Sequence, residues 1–314
     1  MTPLESLRAG GKPALARALA RLESRPDAAE TLALLDAAWA EQNGHALGIT
    51  GPPGVGKSTL IDALIRAWRG RGRTVAVIAV DPSSRRSGGA LLGDRTRFSI
   101  DPEDQGVFVR SMAARDRLGG LADLAFPALA LMRATHDLVV VETVGVGQSE
   151  TEIVDIADSV MFCAQPGSGD SLQFMKAGVM EIPDLAVVTK ADMGAPARRA
   201  LADLRGALSL AAGREAPAVL AVSATAGEGM DALVEALEAR IAQGAAAPAA
   251  RADRLARHIA LWAENAIRAE FGARGAAASA RDLTALSSDS NPFSRVAAAR
   301  LRLERAFAVG ISQH

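Results

Sequence analysis

The sequence predicts a three-layer α/β fold with a mostly parallel sheet, and two observations carry that expectation. Between residues 46 and 240, short runs rich in Val, Ile and Leu alternate with helical stretches. The runs lack polar alternation, as strands buried on both faces of a parallel sheet do. Between the first run and a helical pattern over 59–68 stands a glycine-rich octapeptide, Gly51-Pro52-Pro53-Gly54-Val55-Gly56-Lys57-Ser58. Repeated strand–helix units of this kind stack parallel strands between helices.

Residues 1–43 read as a helical N-terminal extension. Leu15, Leu19 and Leu22 recur at helical spacing, as do Leu32, Leu35 and Trp39, and Ser24-Arg25-Pro26-Asp27 breaks the pattern into a helical hairpin. Residues 44–243 form the α/β domain, with strands expected at 46–50, 74–80, 138–142, 159–163, 185–189 and 218–222. Residues 242–250 (AQGAAAPAA) read as a linker into a helical region over 244–314. There Leu255, Ile259, Trp262 and Ala266 mark one helix, 273–280 form a second Ala/Gly-rich break, and 293–309 form a final helix.

Composition excludes several function classes. The 314 residues carry 35 basic and 36 acidic side chains, a formal net charge of -1, so no basic excess favours a nucleic-acid backbone. At 49% hydrophobic and 23% charged, the chain is neither disordered nor fibrous. No apolar run reaches the roughly 18 residues of a membrane span. The N-terminus carries Glu5 without an apolar core and does not read as a secretory leader. One cysteine, Cys163, excludes an internal disulfide framework and argues for a reducing, cytoplasmic setting. Only four lysines occur, Lys12, Lys57, Lys176 and Lys190, and two of them fall inside motifs.

The octapeptide matches G-x-x-x-x-G-K-[ST] in the strand-then-helix context that motif needs. Its glycines let backbone N–H groups surround a β-phosphate, and the helix N-terminus adds partial positive charge. The expected nucleotide contacts run through Gly51, Pro52, Pro53, Gly54, Val55, Gly56, Lys57, Ser58 and Thr59. Lys57 reaches the β/γ-phosphates as a point charge, and the Ser58 hydroxyl ligates Mg²⁺. Asp81 ends the second strand, where an acid faces Mg²⁺ or its waters. The stretch 85–98 lacks either periodicity and reads as a loop near the phosphates, or as a plain surface loop with Asp94 in water.

The strand at 138–142 runs into Glu142-Thr143-Val144-Gly145-Val146-Gly147-Gln148. P-loop GTPases commonly carry D-x-x-G at this place. Here the acid is Glu142, which holds a metal-bound water, and Gly145 meets the γ-phosphate as part of a switch. Gln148 and Asp94 compete for the role of placing the attacking water. Further on, Thr189-Lys190-Ala191-Asp192 stands where guanine sites carry N-K-x-D. Asp192 accepts from guanine N1–H and N2–H₂, a pairing adenine cannot offer, and Lys190 lays its stem over the base. Thr189 replaces the usual Asn, and its hydroxyl supplies only part of an amide's bonding. Ser223-Ala224-Thr225 follows the last strand and fits the loop whose backbone contacts the guanine oxygen.

In this order the motifs resemble the cobalamin-dependent acyl-CoA mutase-associated GTPases, the MeaB/ArgK type within the SIMIBI class of P-loop proteins. The carrying residues are 51–59 (GPPGVGKST), 80–98 (VDPSSRRSGGALLGDRTRF), 142–150 (ETVGVGQSE), 165–178 (QPGSGDSLQFMKAG), 189–192 (TKAD) and 223–225 (SAT). Besides Thr189, Arg95 and Phe98 depart from the pattern, where Lys and Met are expected. The resemblance implies a P-loop NTPase fold and a homodimeric GTPase with a C-terminal helical dimerisation arm. It implies a chaperone that uses GTP to gate cobalamin loading into a coenzyme B12-dependent acyl-CoA mutase and protects that enzyme. It also implies a third switch over 165–178, holding Asp170, Gln173 and Lys176. Two rivals stand beside it. One is a nickel-insertion GTPase, although His45, His136, His258 and His314 are scattered and Cys163 is alone. The other is an ATP-using kinase linked to amino-acid transport, against which Asp192 argues.

Overall fold

The structure, a computed structural model, describes residues 1–82, 98, 101–114, 124–143, 152–167, 182–211, 216–280, 283, 286 and 291–311. The chain divides into two compact units. One gathers Met1–Gly44, Arg117–Thr135 and Pro248–His314; the other gathers His45–Asp116 and His136–Ala247.

The second unit is built on seven parallel strands: β1 (His45–Thr50), β2 (Val75–Pro82), β3 (Val107–Ala114), β4 (Leu138–Glu142), β5 (Ser159–Ala164), β6 (Leu185–Val188) and β7 (Ala218–Ala221). Their order is β3-β2-β4-β1-β5-β6-β7. The first strand in sequence is thus the central one. It pairs with β4 through Ala46↔Val139 and with β5 through Gly48↔Val160. Successive strands are laid down on one side of β1 and then on the other, and the crevice at that switch in strand order, beyond the carboxyl ends of the strands, is where such sheets bind ligands.

Helices cover both sheet faces. On one, α4 (Lys57–Gly70) and α7 (Met230–Ala246) pack Leu60, Leu64, Trp68, Leu233 and Leu237 against Ile49, Val77, Val140 and Met161. Phe98 joins this core. On the other, α6 (Ala195–Ala211) lays Leu204 and Leu208 on Phe162, Ala186, Val188 and Val219. Alternate residues of β5 and β6 serve opposite layers, so both faces are apolar, as the sequence predicted. Helix, sheet, helix is the expected three-layer fold.

The first unit is helical: α1 (Pro3–Ala9), α2 (Gly11–Ser24), α3 (Ala29–Ala40), α5 (Ala125–Arg133), α8 (Pro248–Ala278) and α9 (Pro292–Ile311). Trp39, Phe126, Trp262 and Phe293 meet in its core with ring centroids 5.1–6.3 Å apart. Buried Asp36 accepts Phe293 N–H at 2.9 Å and so caps the start of α9. No helix among the described residues is long and apolar enough to cross a membrane.

Four expectations need correction. The N-terminal hairpin is three helices, because Gly10-Gly11 interrupts the first. The supposed linker 242–250 is helical except at Ala247: alanine is the best helix former, and Pro248 takes the first position of α8, where its missing N–H costs nothing. The second break lies at Gly272 (φ 67, ψ -170), not over 273–280. Strand β3 was not expected at all. It is an edge strand, and Arg110 and Ser111 interrupt its apolar run.

Gly51, the first residue after β1, has φ +143, and a Cβ there would fall 2.2 Å from the Cys163 carbonyl oxygen of β5. Gly51→Ala should therefore lower stability by about 2–4 kcal/mol, read as a drop in Tm. An unchanged Tm would refute this close approach.

Candidate nucleotide-binding site

The octapeptide forms a ring at the carboxyl end of β1. Gly51, Gly54 and Gly56 take φ of +143, +73 and +97, values that favour glycine. Gly56 is the N-cap of α4, so the helix begins inside the motif. Val55, fully buried, anchors the ring in the core. Lys57 is only 7% exposed, and its Nζ donates to Gly51 O at 2.6 Å and to Pro52 O at 3.0 Å. The cation is thereby held across the ring.

Pro53, Gly54, Gly56, Lys57, Ser58, Thr59, Ala79, Val80, Glu142 and Thr143 line one cleft of about 270 Å³. Within it Ser58 Oγ donates to Glu142 Oε1 at 3.0 Å. Two neighbouring oxygens of an octahedral Mg²⁺ shell, each about 2.1 Å from the ion, are separated by about 3.0 Å. The hydrogen-bonded serine hydroxyl and carboxylate are oxygen donors of the kind Mg²⁺ takes, side by side in the cleft. Beneath them, Thr143 Oγ1 and Thr50 Oγ1 hydrogen-bond at 3.1 Å, tying the end of β4 to the end of β1. Ala79 of β2 stands opposite Glu142 in register, two residues before Asp81. Asp81 closes β2 near its carboxyl end, but its side chain lies outside the described residues, as do Asp94, Gly145, Gln148, Asp170, Gln173 and Lys176.

The loops after β6 and β7, where the sequence places base recognition, meet the same ring. Thr189 N–H donates to Ala164 O at 2.8 Å. Thr189 Oγ1 lies 2.7 Å from Val55 O and 3.0 Å from Ala164 O, so its one hydrogen serves both carbonyls. At 5% exposure Thr189 ties loops together and is not itself presented to a ligand. Lys190 Nζ donates to Gly54 O at 3.2 Å and to Gln165 Oε1 at 2.6 Å. Ala191 N–H donates to Val222 O at 3.0 Å, setting exposed Asp192 beside the loop that starts at Ser223. Ser223 Oγ accepts Ala226 N–H and contacts Thr225 Oγ1, both at 3.2 Å, which shapes that loop. The contacts of Gln165, Thr50 and Thr143 have no motif signature, because their partners are distant in sequence.

A P-loop nucleotide-binding protein is what this fold and ring define. The chain belongs to the family described as methylmalonyl Co-A mutase-associated GTPase MeaB, whose model matches residues 15–278. It is 41% identical over 267 residues to a GTPase-named protein of Caulobacter vibrioides, covering 81% of each chain. It is 47% identical over 190 residues to a GTPase-named protein of Pyrococcus horikoshii, and there it spans 60% of that relative's length as of its own. A solved structure of LAO/AO transport system kinase superposes with a TM-score of 0.65 at 27% identity, over 98% of this chain and 96% of that one.

Cys163 lies fully buried under the ring. Burial pushes its thiol from an ordinary value near 9.0 up to about 12, with Lys57 drawing it down and nearby Glu142 adding to the rise. A thiol reagent at pH 8 should leave the folded protein unmodified and label it once unfolded. The folded thiol keeps its proton where the unfolded one has lost it. The associated stability is therefore full below pH 9.0 and declines from there toward pH 12. Rapid labelling of the folded state would contradict this burial.

Proposed function

We propose that this protein hydrolyses GTP to GDP and phosphate. We also propose that it works as a cytoplasmic homodimer, a G-protein chaperone for a coenzyme B12-dependent acyl-CoA mutase, gating cobalamin loading and protecting the enzyme. Ser58 and Glu142, paired at 3.0 Å in the phosphate-loop cleft, carry the hydrolytic reading. Family membership supports the mutase reading. For the dimer, the reading assigns the arm to α8 and α9, on which Leu261, Leu301 and Phe307 are exposed.

Phosphoryl transfer needs little covalent chemistry from a protein, so positioning and charge dominate. Ring amides and Lys57 hold the β- and γ-phosphates, with the lysine offsetting charge that builds on the bridging oxygen. Ser58 and Glu142, joined by Asp81 and Asp94, would hold Mg²⁺ directly or through its waters. When bound, that ion neutralises phosphate charge and fixes the β/γ geometry. Gly145 reports the γ-phosphate, and Gln148 or Asp94 places the attacking water. Asp192 reads the guanine edge, the stem of Lys190 covers the ring, and the loop Ser223, Ala224 and Thr225 meets the guanine oxygen.

A second reading is an ATP-using kinase linked to amino-acid transport, and a solved relative named a transport system kinase favours it. Nucleotide turnover separates the two. Wild-type protein should release phosphate from GTP in preference to ATP, and Lys57→Ala should lose at least about a hundred-fold in rate. Asp192→Asn should move preference from guanosine to xanthosine triphosphate, because an amide donates where xanthine carries an oxygen. Equal use of ATP and GTP would favour the kinase. For the partner, immobilised protein should retain the mutase's cobalamin-binding domain to a degree that differs between GDP and a non-hydrolysable GTP analogue. No retention in either state would refute the chaperone role.

A further inference from the structure

Three pairs of consecutive residues interlock at the edge of the ring. The first is Gly54-Val55, in the phosphate loop. The second is Ala164-Gln165, where β5 ends. The third is Thr189-Lys190, just after β6. Thr189 reaches one member of each other pair, Val55 O at 2.7 Å and Ala164 O at 3.0 Å. Lys190 reaches the remaining two, Gly54 O at 3.2 Å and Gln165 Oε1 at 2.6 Å. Three of these acceptors are backbone carbonyls, which no substitution removes. The fourth is a side chain, and it makes the shortest of the four contacts.

We infer that Gln165 is a positioning residue for base binding: its side-chain oxygen holds the Lys190 ammonium at the phosphate loop and so pre-sets the lysine stem as a wall of the base site. The inference rests on the reading of residues 189–192 as the guanine-recognition loop.

Lysine is a poor wall unless held. Its stem has four rotatable bonds, and fixing them costs rotamer entropy. Lys190 is exposed and is also the one non-glycine residue with positive φ among those described (φ 56, ψ 43). Left-handed backbone is unfavourable for a lysine, because its Cβ crowds the following carbonyl oxygen. A strained backbone and a floppy side chain persist only where surrounding contacts over-determine them. A hydrogen bond from a cation to an amide oxygen is among the strong ones. The neutral amide orients the ammonium without cancelling its charge.

The test is equilibrium binding of fluorescent GDP, with turnover at saturating GTP. Gln165→Met keeps length and apolar bulk but removes the acceptor. It should weaken GDP binding about ten-fold, mostly through faster release, with kcat within about two-fold of wild type. Gln165→Glu restores an acceptor and should bind GDP within about three-fold of wild type. In a Lys190→Met background, Gln165→Met should cost less than about two-fold, because its partner is gone. Wild-type affinity in Gln165→Met would overturn the inference, as would an undiminished loss in the Lys190→Met background. Asp192→Asn run in parallel separates the layers. If it fails to shift preference toward xanthosine nucleotides, the base-site reading falls and takes the inference with it. If it shifts and Gln165→Met binds normally, only the role of Gln165 falls.

Discussion

The start of the phosphate-binding ring lies so close to the end of β5 that no side chain fits between them. A Cβ on Gly51 would stand 2.2 Å from the Cys163 carbonyl oxygen and 3.2 Å from its Cβ. Backbone packed on backbone makes the rest of the site possible. It seats the ring on the neighbouring strand, lets Val55 drop into the core, and brings the carbonyls of Gly54 and Val55 within reach of the loop that follows β6. A cradle fixed in this way needs no reorganisation when charge develops on a bound phosphate.

Two arms hang from that ring. On one side Ser58 meets Glu142, and Thr50 meets Thr143 below them, so the acid at the end of β4 is tied to the strand that launches the ring. On the other, Thr189 and Lys190 tie the loop after β6 to the same ring. Lys57 and Glu142 are both nearly excluded from water, at 7% and 6% exposure. Burying such charges is costly unless they are compensated. A site that gathers a cation and a carboxylate around glycine N–H groups suits a ligand that is itself highly charged and brings a metal.

Much of this was legible in the sequence. A motif such as the octapeptide is local: each glycine has a nearby steric reason, and strand and helix flank it visibly. Central strands were legible for a related reason, since burial on both faces leaves an unbroken apolar run. The edge strand β3 was not, because Arg110 and Ser111 lie partly open to water and dilute the pattern. Poly-alanine around 242–250 was misread, because small residues give helices no amphipathic stripe although they favour helix intrinsically. Thr189 departs from the usual Asn, and its task depends on the fold: one hydroxyl bridges Val55 and Ala164, far apart in sequence. Gln165 opens the stretch 165–178, yet its contact with Lys190 is not visible in sequence spacing.

The central place of β1 bears on how the chain is born. Emerging from the ribosome at about 5–20 residues per second, His45–Thr50 appears long before either neighbour. Leu138 must be made before β4 can zip onto it, and Ser159 before β5 can. Until Thr189 follows, nothing clasps Val55 from the far side. Nascent chains that end before Leu138 hold β1 without either of its sheet neighbours, a state exposed to aggregation. Nucleotide capture is accordingly a late event in biosynthesis, and premature truncation anywhere before residue 189 leaves a phosphate loop without its clasp.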